Sequence, residues 1–165
     1  MRKIIIILLL AGFILLAGCT SYYTNLTAPK RNLQLNQTAI FEQEGYLFRI
    51  SVDRISIAPT PAGPADSRTA TVTITLKNPG TKGISLVGYP RLTDGNGKEY
   101  AGTGIFFGAV NPGGSVTGKS SIPIESAADF AALQNQAVLG IRLQGVQPTP
   151  WEADWDVNVN RLPPA

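Results

Sequence analysis

The side chains that most often carry enzyme chemistry are scarce in this sequence. Its 165 residues include no histidine and a single cysteine. Nucleophilic sites of the Ser–His–Asp and Cys–His kinds need residues that the chain lacks, as do zinc and copper sites built on histidine. A catalytic site would have to use a pair of carboxylates or a serine activated by lysine. We expect a protein that is not an enzyme and has no cofactor.

One group of carboxylates lies beside two tryptophans. Glu152, Asp154 and Asp156 alternate with other residues and neighbour Trp151 and Trp155. An acidic pair beside aromatic rings is typical of glycoside hydrolysis, in which two carboxyl groups lie about 5 to 9.5 Å apart. The alternation also fits a strand whose solvated face carries the acids while the tryptophan side enters the core. We favour the second interpretation.

A second acidic group offers oxygen ligands in a glycine-rich segment. Asp94, Asn96 and Glu99 have a spacing loosely like that of an acidic calcium loop. Asp and Asn are also common in tight turns, because their side chains hydrogen-bond the nearby backbone. Since only two carboxylates are present, we favour a hairpin turn and predict no metal site.

Two further segments have a chemical and an ordinary interpretation. Lys119 could activate a neighbouring serine, but in a strand Lys119 and Ser121 would share one exposed polar face, and we favour that interpretation. Phe106 and Phe107 are adjacent, so in a strand they face opposite sides. One of them must enter the core. We expect the other to be buried in a second layer, whereas its exposure would indicate a protein contact.

The strongest chemical signal is at the N-terminus, where the lone thiol follows an apolar segment. Arg2 and Lys3 precede the apolar run 4–16, and small residues separate this run from Cys19. As a helix the run would span about 20 Å, which is short of the roughly 30 Å hydrocarbon core of a bilayer. These proportions predict a signal peptide over residues 1–18.

The four residues Leu16-Ala17-Gly18-Cys19 resemble the lipobox of bacterial and archaeal lipoproteins. The resemblance implies that Leu16, Ala17 and Gly18 are recognised by the signal peptidase, and that Cys19 is lipidated with diacylglycerol. Two acyl chains would anchor the protein stably to the membrane. The rival interpretation is an uncleaved membrane helix. In both, the positive charge at residues 2 and 3 keeps the N-terminus in the cytoplasm and the body outside.

After the cysteine, residues 19–39 are polar, low in charge and without periodicity. They predict a flexible tether that leads to a domain over residues 40–165. Asn25 and Asn36 begin N-x-Ser/Thr triplets and are candidate N-glycosylation sites. Removal of residues 1–18 leaves 12 basic side chains against 11 acidic ones, a balance that argues against nucleic acid as a partner.

Beyond residue 40 the apolar side chains alternate with polar ones, as in strands. The clearest strand is Thr69–Lys77, and a change of parity near Asp53-Arg54 predicts a β-bulge. Ser126-Ala127-Ala128-Asp129 has the form of a helix cap, which predicts a short helix to about Gln136. The whole pattern predicts an all-β, antiparallel, immunoglobulin-like β-sandwich of about seven or eight strands with one short helix.

The turns of this pattern carry a second resemblance. The matching segments are Asn78-Pro79-Gly80, Leu92-Thr93-Asp94, Gly97-Lys98-Glu99-Tyr100, Pro112-Gly113-Gly114-Ser115 and Ile122-Pro123. Through them residues 46–124 resemble the telokin-like, immunoglobulin-like domain of unknown function on bacterial and archaeal envelope lipoproteins. The chain departs from that pattern at Pro79 and in the long loop 59–66. The resemblance implies a fold and a location, and no catalytic residue.

Together these features predict a lipid-anchored protein outside the cytoplasm, at the cell surface or the periplasmic face, with a non-enzymatic binding or structural role. Its expected partners are the membrane and other envelope proteins or polymers. Two rivals stay open: an accessory subunit of a membrane transport or secretion complex, and a glycan-active enzyme that uses Asp154 or Asp156.

Overall fold

A computed structural model describes residues 30–43, 45–61, 63–145 and 151–162 of the chain. Within these ranges the alternating segments form ten strands, one α-helix and one 3-10 turn. The strands are β1 Lys30–Gln34, β2 Thr38–Gln43, β3 Tyr46–Pro59, β4 Arg68–Lys77, β5 Ile84–Asp94, β6 Glu99–Ala101, β7 Ile105–Val110, β8 Ser115–Ile124, β9 Ala137–Gln144 and β10 Trp151–Val157. The helix α1 is Ala127–Asn135, and the 3-10 turn is Val159–Arg161.

The strands form two sheets that enclose one core. The six-stranded sheet has the order β1-β10-β9-β5-β6, with β7 also paired to β5, and the four-stranded sheet has the order β2-β3-β4-β8. Strand β1 pairs with β10 in parallel, whereas the other pairs are antiparallel. The predicted all-β sandwich with one short helix is confirmed, although ten strands replace the seven or eight expected.

Strand β4 shows why the alternation folds this way. Its apolar side chains Ala70, Val72, Ile74 and Leu76 are fully buried, while threonines occupy the opposite face. Burial of a Val, Leu or Ile side chain contributes roughly 1.5–3 kcal/mol, so one inward face of β4 stabilises the sandwich substantially. The ladder between β3 and β4 shifts register between Val52 and Arg54, which confirms the predicted bulge.

The sandwich begins earlier than residue 40. Strand β1 and the first residues of β2 lie inside the range 19–39 that was expected to be a tether, so ordered pairing extends back to Lys30. The sequence of β1 has no alternation, and the strand is defined by its backbone pairing with β10 at the edge of the sheet. Residues 1–29, which include Cys19 and Asn25, lie outside the described ranges.

Proline 90 lies within β5, where a missing N–H would normally break a ladder. The Pro90 carbonyl accepts a hydrogen bond from the Gly102 N–H at 2.8 Å. The N–H and C=O of a strand residue point to the same side of the strand. The N–H that Pro90 lacks would therefore face the gap where β5 stops pairing with β7 and begins to pair with β6, so no ladder hydrogen bond is lost there.

Among the described residues, none belongs to a helix long and apolar enough to cross a membrane.

Candidate functional site

The hairpin between β5 and β6 uses Asp94 as a structural residue. The Oδ1 atom of Asp94 accepts the backbone N–H groups of Asn96 at 2.9 Å and Lys98 at 3.0 Å, which closes the turn. Its Oδ2 atom accepts the Tyr100 hydroxyl at 3.3 Å. Asp94 is buried, and its carboxylate is therefore fixed by its own hairpin.

The candidate calcium ligands do not converge. Glu99 lies on the exposed face opposite to that of Asp94 and pairs with Arg91, Nε to Oε1, at 3.2 Å. The backbone of Asn96 turns toward Asp94, and the Asn96 side chain is exposed. In the described part of the chain no three acidic side chains approach closely enough to hold a metal ion. The segment acts as the hairpin turn that we favoured.

Tyr100 links this hairpin to the N-terminal end of α1. Its hydroxyl lies 3.1 Å from Asp129 Oδ1, and Lys98 Nζ donates to the same oxygen at 2.6 Å. Ser126 caps the helix, since its Oγ accepts the Asp129 N–H at 3.1 Å. We call Asp94, Lys98, Tyr100, Ser126 and Asp129 the tyrosine cluster.

The electrostatics of the tyrosine cluster favour a structural role. The hydrogen bond from Lys98 lowers the pKa of Asp129, with a further contribution from Ser126, and the same contact raises the pKa of Lys98. Burial, and then the hydrogen bond to Asp129, raises the pKa of Tyr100 well above its ordinary value. Tyr100 thus stays protonated and serves as a hydrogen-bond donor rather than as a base or nucleophile.

The acidic group on β10 is separated from the tryptophan rings. Trp151 and Trp155 point into the core with 3% and 0% exposure, whereas Glu152, Asp154 and Asp156 lie on the outer face of the sheet. Glu152 lies 3.8 Å from Arg142, Oε1 to Nε. The rings and the acids therefore do not form one site, which agrees with the strand interpretation.

The segment around Lys119 lies in β8. Lys119 and Ser121 are exposed on one face, as expected, while Ser120 is buried and donates to the Thr103 carbonyl at 2.7 Å.

Residues 113–120 also fit the letters Gly-x-x-x-x-Gly-Lys-Ser of a nucleotide phosphate loop, a match that reasoning from the sequence overlooked. That loop needs a helix after it, and here a strand paired with β4 follows instead. Gly118 is needed for packing, because a Cβ there would lie 2.2 Å from Ile105 Cγ2.

The expectation for the phenylalanine pair is wrong for one of its members. Phe107 is buried at 4% exposure, but Phe106 is 76% exposed. Phe106 lies opposite Val87 at the edge of the six-stranded sheet, and β7 has no second layer over its outer face within the described residues. Tyr89 of β5 lies on the same outer face of the sheet as Phe106 and is 44% exposed.

An open cleft of about 550 Å³ lies where α1 ends and the ends of β1 and β10 meet. Besides Asp156 and the buried Ala137 and Val157, its lining consists of carboxamide side chains. These are Gln34, Gln134, Asn135, Gln136, Asn158 and Asn160. We call this site the amide cleft. None of the residues that line it is a lysine or an arginine.

Part of the amide cleft is fixed by its own hydrogen bonds. Gln134 Nε2 donates to Asn160 Oδ1 at 3.0 Å, and Asn160 Nδ2 donates to the Gln134 carbonyl at 3.1 Å, which joins the helix to the 3-10 turn. Gln34 Nε2 donates to Asp156 Oδ2 at 3.4 Å. A carboxamide has two N–H donors and an acceptor oxygen, so these contacts use only part of its capacity.

Reasoning from the sequence missed the amide cleft. The run Gln134-Asn135-Gln136 and the pair Asn158 and Asn160 are visible as amide-rich segments. Their convergence with Gln34 depends on the parallel pairing of β1 with β10, which brings residues 34 and 156 together.

The candidate glycosylation site Asn36 is exposed in the turn between β1 and β2, and its glycosylation stays a prediction.

Comparison with known proteins supports the fold alone. No family model and no curated protein sequence matches the chain. An uncharacterised β-sandwich protein from Clostridium difficile is similar in structure, with a TM-score of 0.50 and 9% identity over 81% of this chain and 99% of that one. The yjhA protein of Bacillus subtilis has a TM-score of 0.49 and 16% identity over 75% and 99% of the two chains. The secreted protein MPT63 of Mycobacterium tuberculosis has a TM-score of 0.49 and 12% identity over 79% and 99%.

Proposed function

We propose that this chain is a non-enzymatic binding protein of the cell envelope, anchored outside the cytoplasm by lipid on Cys19, and that the amide cleft is its binding site. The observation that carries the proposal is the composition of the cleft. It concentrates uncharged hydrogen-bonding side chains at an open surface, where polar groups with spare capacity favour a ligand that can satisfy them.

The acidic side chains first considered for metal binding and for catalysis support the same proposal by their contacts. Asp94 is held by its hairpin, Glu99 by Arg91 and Glu152 by Arg142. Asp156 is the one carboxylate that lines the amide cleft, whereas two-carboxylate glycoside hydrolysis needs a second one across the bond to be cut. A binding role thus fits the cleft better than hydrolysis does.

The direction of β1 suits an anchored receptor. The segment from Cys19 joins the sandwich at Lys30, and β1 runs from there to Gln34 at the amide cleft. At about 3.3 Å per residue, the cleft lies roughly 13 Å along the strand from this junction. The ten residues between Cys19 and Lys30 give eleven steps along the backbone, which could span at most about 40 Å if fully extended. A lipid at Cys19 would thus be joined to the sandwich at the end of β1 opposite to the cleft.

The anchor is tested by intact-mass measurement of the membrane-extracted protein, with Cys19→Ser as the comparison. We expect the wild type to lack residues 1–18, to carry the added mass of lipid, and to sediment with membranes. The variant should lack the lipid mass. Unprocessed masses that differ between the two proteins only by the exchange of sulfur for oxygen would contradict the anchor.

The binding role is tested by co-sedimentation of the purified mature protein with insoluble envelope material from the host. We expect the wild type to be retained and a variant of the cleft, Asn135→Ala with Asn158→Ala, to be retained about tenfold less well. A stable, stoichiometric membrane-protein partner whose binding is unchanged by these substitutions would instead favour the accessory-subunit interpretation.

A further inference from the structure

We infer that the ligand of the amide cleft is a neutral polyhydroxylated chain, a glycan whose sugar units carry adjacent free hydroxyl groups. This inference rests on the proposed function and names the chemical class of ligand for the same site.

The charge of the amide cleft selects against ionic ligands. Among the described residues that line the cleft, Asp156 is the single charged one and none is cationic. A phosphate or carboxylate ligand would meet a like charge and no counter-charge, which is unfavourable for binding. A hydroxyl group can instead donate a hydrogen bond to the Asp156 carboxylate.

The polarity of the cleft selects against apolar ligands. Its two apolar residues, Ala137 and Val157, are 3% and 6% exposed and belong to the strands below. An apolar ligand would cover carboxamides without hydrogen-bonding them, and burial of an unpaired polar group costs free energy. The ligand must therefore carry many groups that both donate and accept.

Adjacent hydroxyl groups match a carboxamide directly. The N–H and C=O of one carboxamide lie side by side, so one hydroxyl accepts from the nitrogen while its neighbour donates to the oxygen. Asn158 precedes the 3-10 turn without capping it through its side chain, and Asn135 is exposed at the last position of α1. Neither side chain donates or accepts a structural hydrogen bond among the residues that the structure describes.

The test treats the host's insoluble envelope material before the full mature protein is added. One portion is oxidised with periodate, which cleaves the bond between carbons that carry adjacent hydroxyl groups, and another is digested with protease. The protein is kept in a detergent without a sugar head group, because a glycoside detergent would compete. We expect periodate to lower retention at least tenfold and protease to leave it within about twofold.

The matched control is Asn111→Ala, which removes an exposed carboxamide in the turn between β7 and β8, away from the cleft. It should be retained like the wild type, while Asn135→Ala with Asn158→Ala is retained about tenfold less well, since each hydrogen bond lost weakens binding by a factor of about 2 to 10. Retention should change by less than about twofold between 0.05 and 0.5 M salt, because no ion pair is involved.

The binding role of the cleft and the glycan inference are contradicted by different results. If protease abolishes retention and periodate does not, the ligand is a protein and the glycan inference is wrong, whereas the binding role of the cleft survives. If the double variant is retained as well as the wild type, the cleft is not the site and both ideas fail. A steep loss of retention with salt would also overturn the neutral ligand.

Discussion

The two ends of α1 carry different kinds of polar surface. At its N-terminal end the tyrosine cluster uses charged and ionisable groups, and its members hydrogen-bond one another. At its C-terminal end the amide cleft has a single charge and is lined by exposed carboxamides with hydrogen-bonding capacity left over. Polar groups that hydrogen-bond one another stabilise a fold, whereas exposed polar groups that bond mainly to water can exchange that water for a ligand. The ionisable cluster is therefore the structural region, and the amide cleft is the candidate for recognition.

The largest expected difference is between the two carboxylates Asp94 and Asp156. Replacement of Asp94 by Ala removes the acceptor of two backbone N–H groups and of the Tyr100 hydroxyl, and should lower the free energy of unfolding by about 2–3 kcal/mol. Asp156→Ala at the exposed cleft should change it by no more than about 0.5 kcal/mol. Urea unfolding, followed by the fluorescence of the two buried tryptophans, measures both. Equal losses would remove the contrast between the regions.

A smaller effect separates two tyrosine hydroxyls. Tyr100→Phe keeps the buried ring but leaves Asp94 and Asp129 without their shared donor, so we expect a loss of about 1–2 kcal/mol. Tyr89→Phe alters an exposed hydroxyl on the outer face and should cost less than about 0.5 kcal/mol. The same unfolding measurement applies, and a loss for Tyr89→Phe as large as that for Tyr100→Phe would show that the cluster is not the cause.

The tyrosine cluster should also give the fold its pH dependence. The pKa of Tyr100 and of Lys98 is raised in the folded state, so their contributions are complete below the unfolded values of 10.0 and 10.5 and are lost as the pH rises above them. The pKa of Asp129 is lowered, so its contribution is present above the unfolded value of 3.8 and is lost as the pH falls below it.

We therefore expect stability to decline above about pH 10 and below about pH 4. Urea midpoints measured across this range test the expectation. In Tyr100→Phe the alkaline decline should be weaker, whereas in Asn135→Ala with Asn158→Ala it should match that of the wild type. An alkaline decline that is unchanged in Tyr100→Phe would assign it to other groups.

The smallest effect is expected at the cleft itself. Asn135→Ala places a better helix former at the last position of α1 and breaks no side-chain hydrogen bond to another described residue. The midpoint of thermal unfolding should therefore stay the same or rise slightly, which corresponds to a gain of at most about 0.5 kcal/mol in the free energy of unfolding. Asn111→Ala serves as the comparison in a turn. A clear loss of stability in Asn135→Ala would mean that the cleft, too, is part of the structural framework.

Local pattern was sufficient for much of the fold. The inward face of β4, the bulge at Asp53 and the cap at Ser126 follow from residues close together in the chain. The role of Asp94 as a turn residue follows in the same way. Each depends on backbone conformation or on alternation over a few residues, which a sequence displays directly.

The remaining features depend on contacts between distant residues. Strand β1 lacks alternation and is defined by its pairing with β10, more than a hundred residues later, so the sequence suggested a tether instead. The exposure of Phe106 depends on β7 lying at a sheet edge, which parity alone does not reveal. The amide cleft combines three segments of the chain, which are Gln34, residues 134–137 and residues 156–160. The phosphate-loop letters of residues 113–120 form no such loop, because most of these residues lie in β8.

The parallel pairing of β1 with β10 has a mechanical consequence. If the protein is held at its N-terminus and pulled through a ligand in the amide cleft, the force runs along β1 from Lys30 toward Gln34. The inter-strand hydrogen bonds lie across that direction, so the load acts in shear on the ladder, whose register shifts once between Lys30 and Leu33. An edge strand of five residues would then resist detachment of the domain from its anchor better than the same strand peeled from one end.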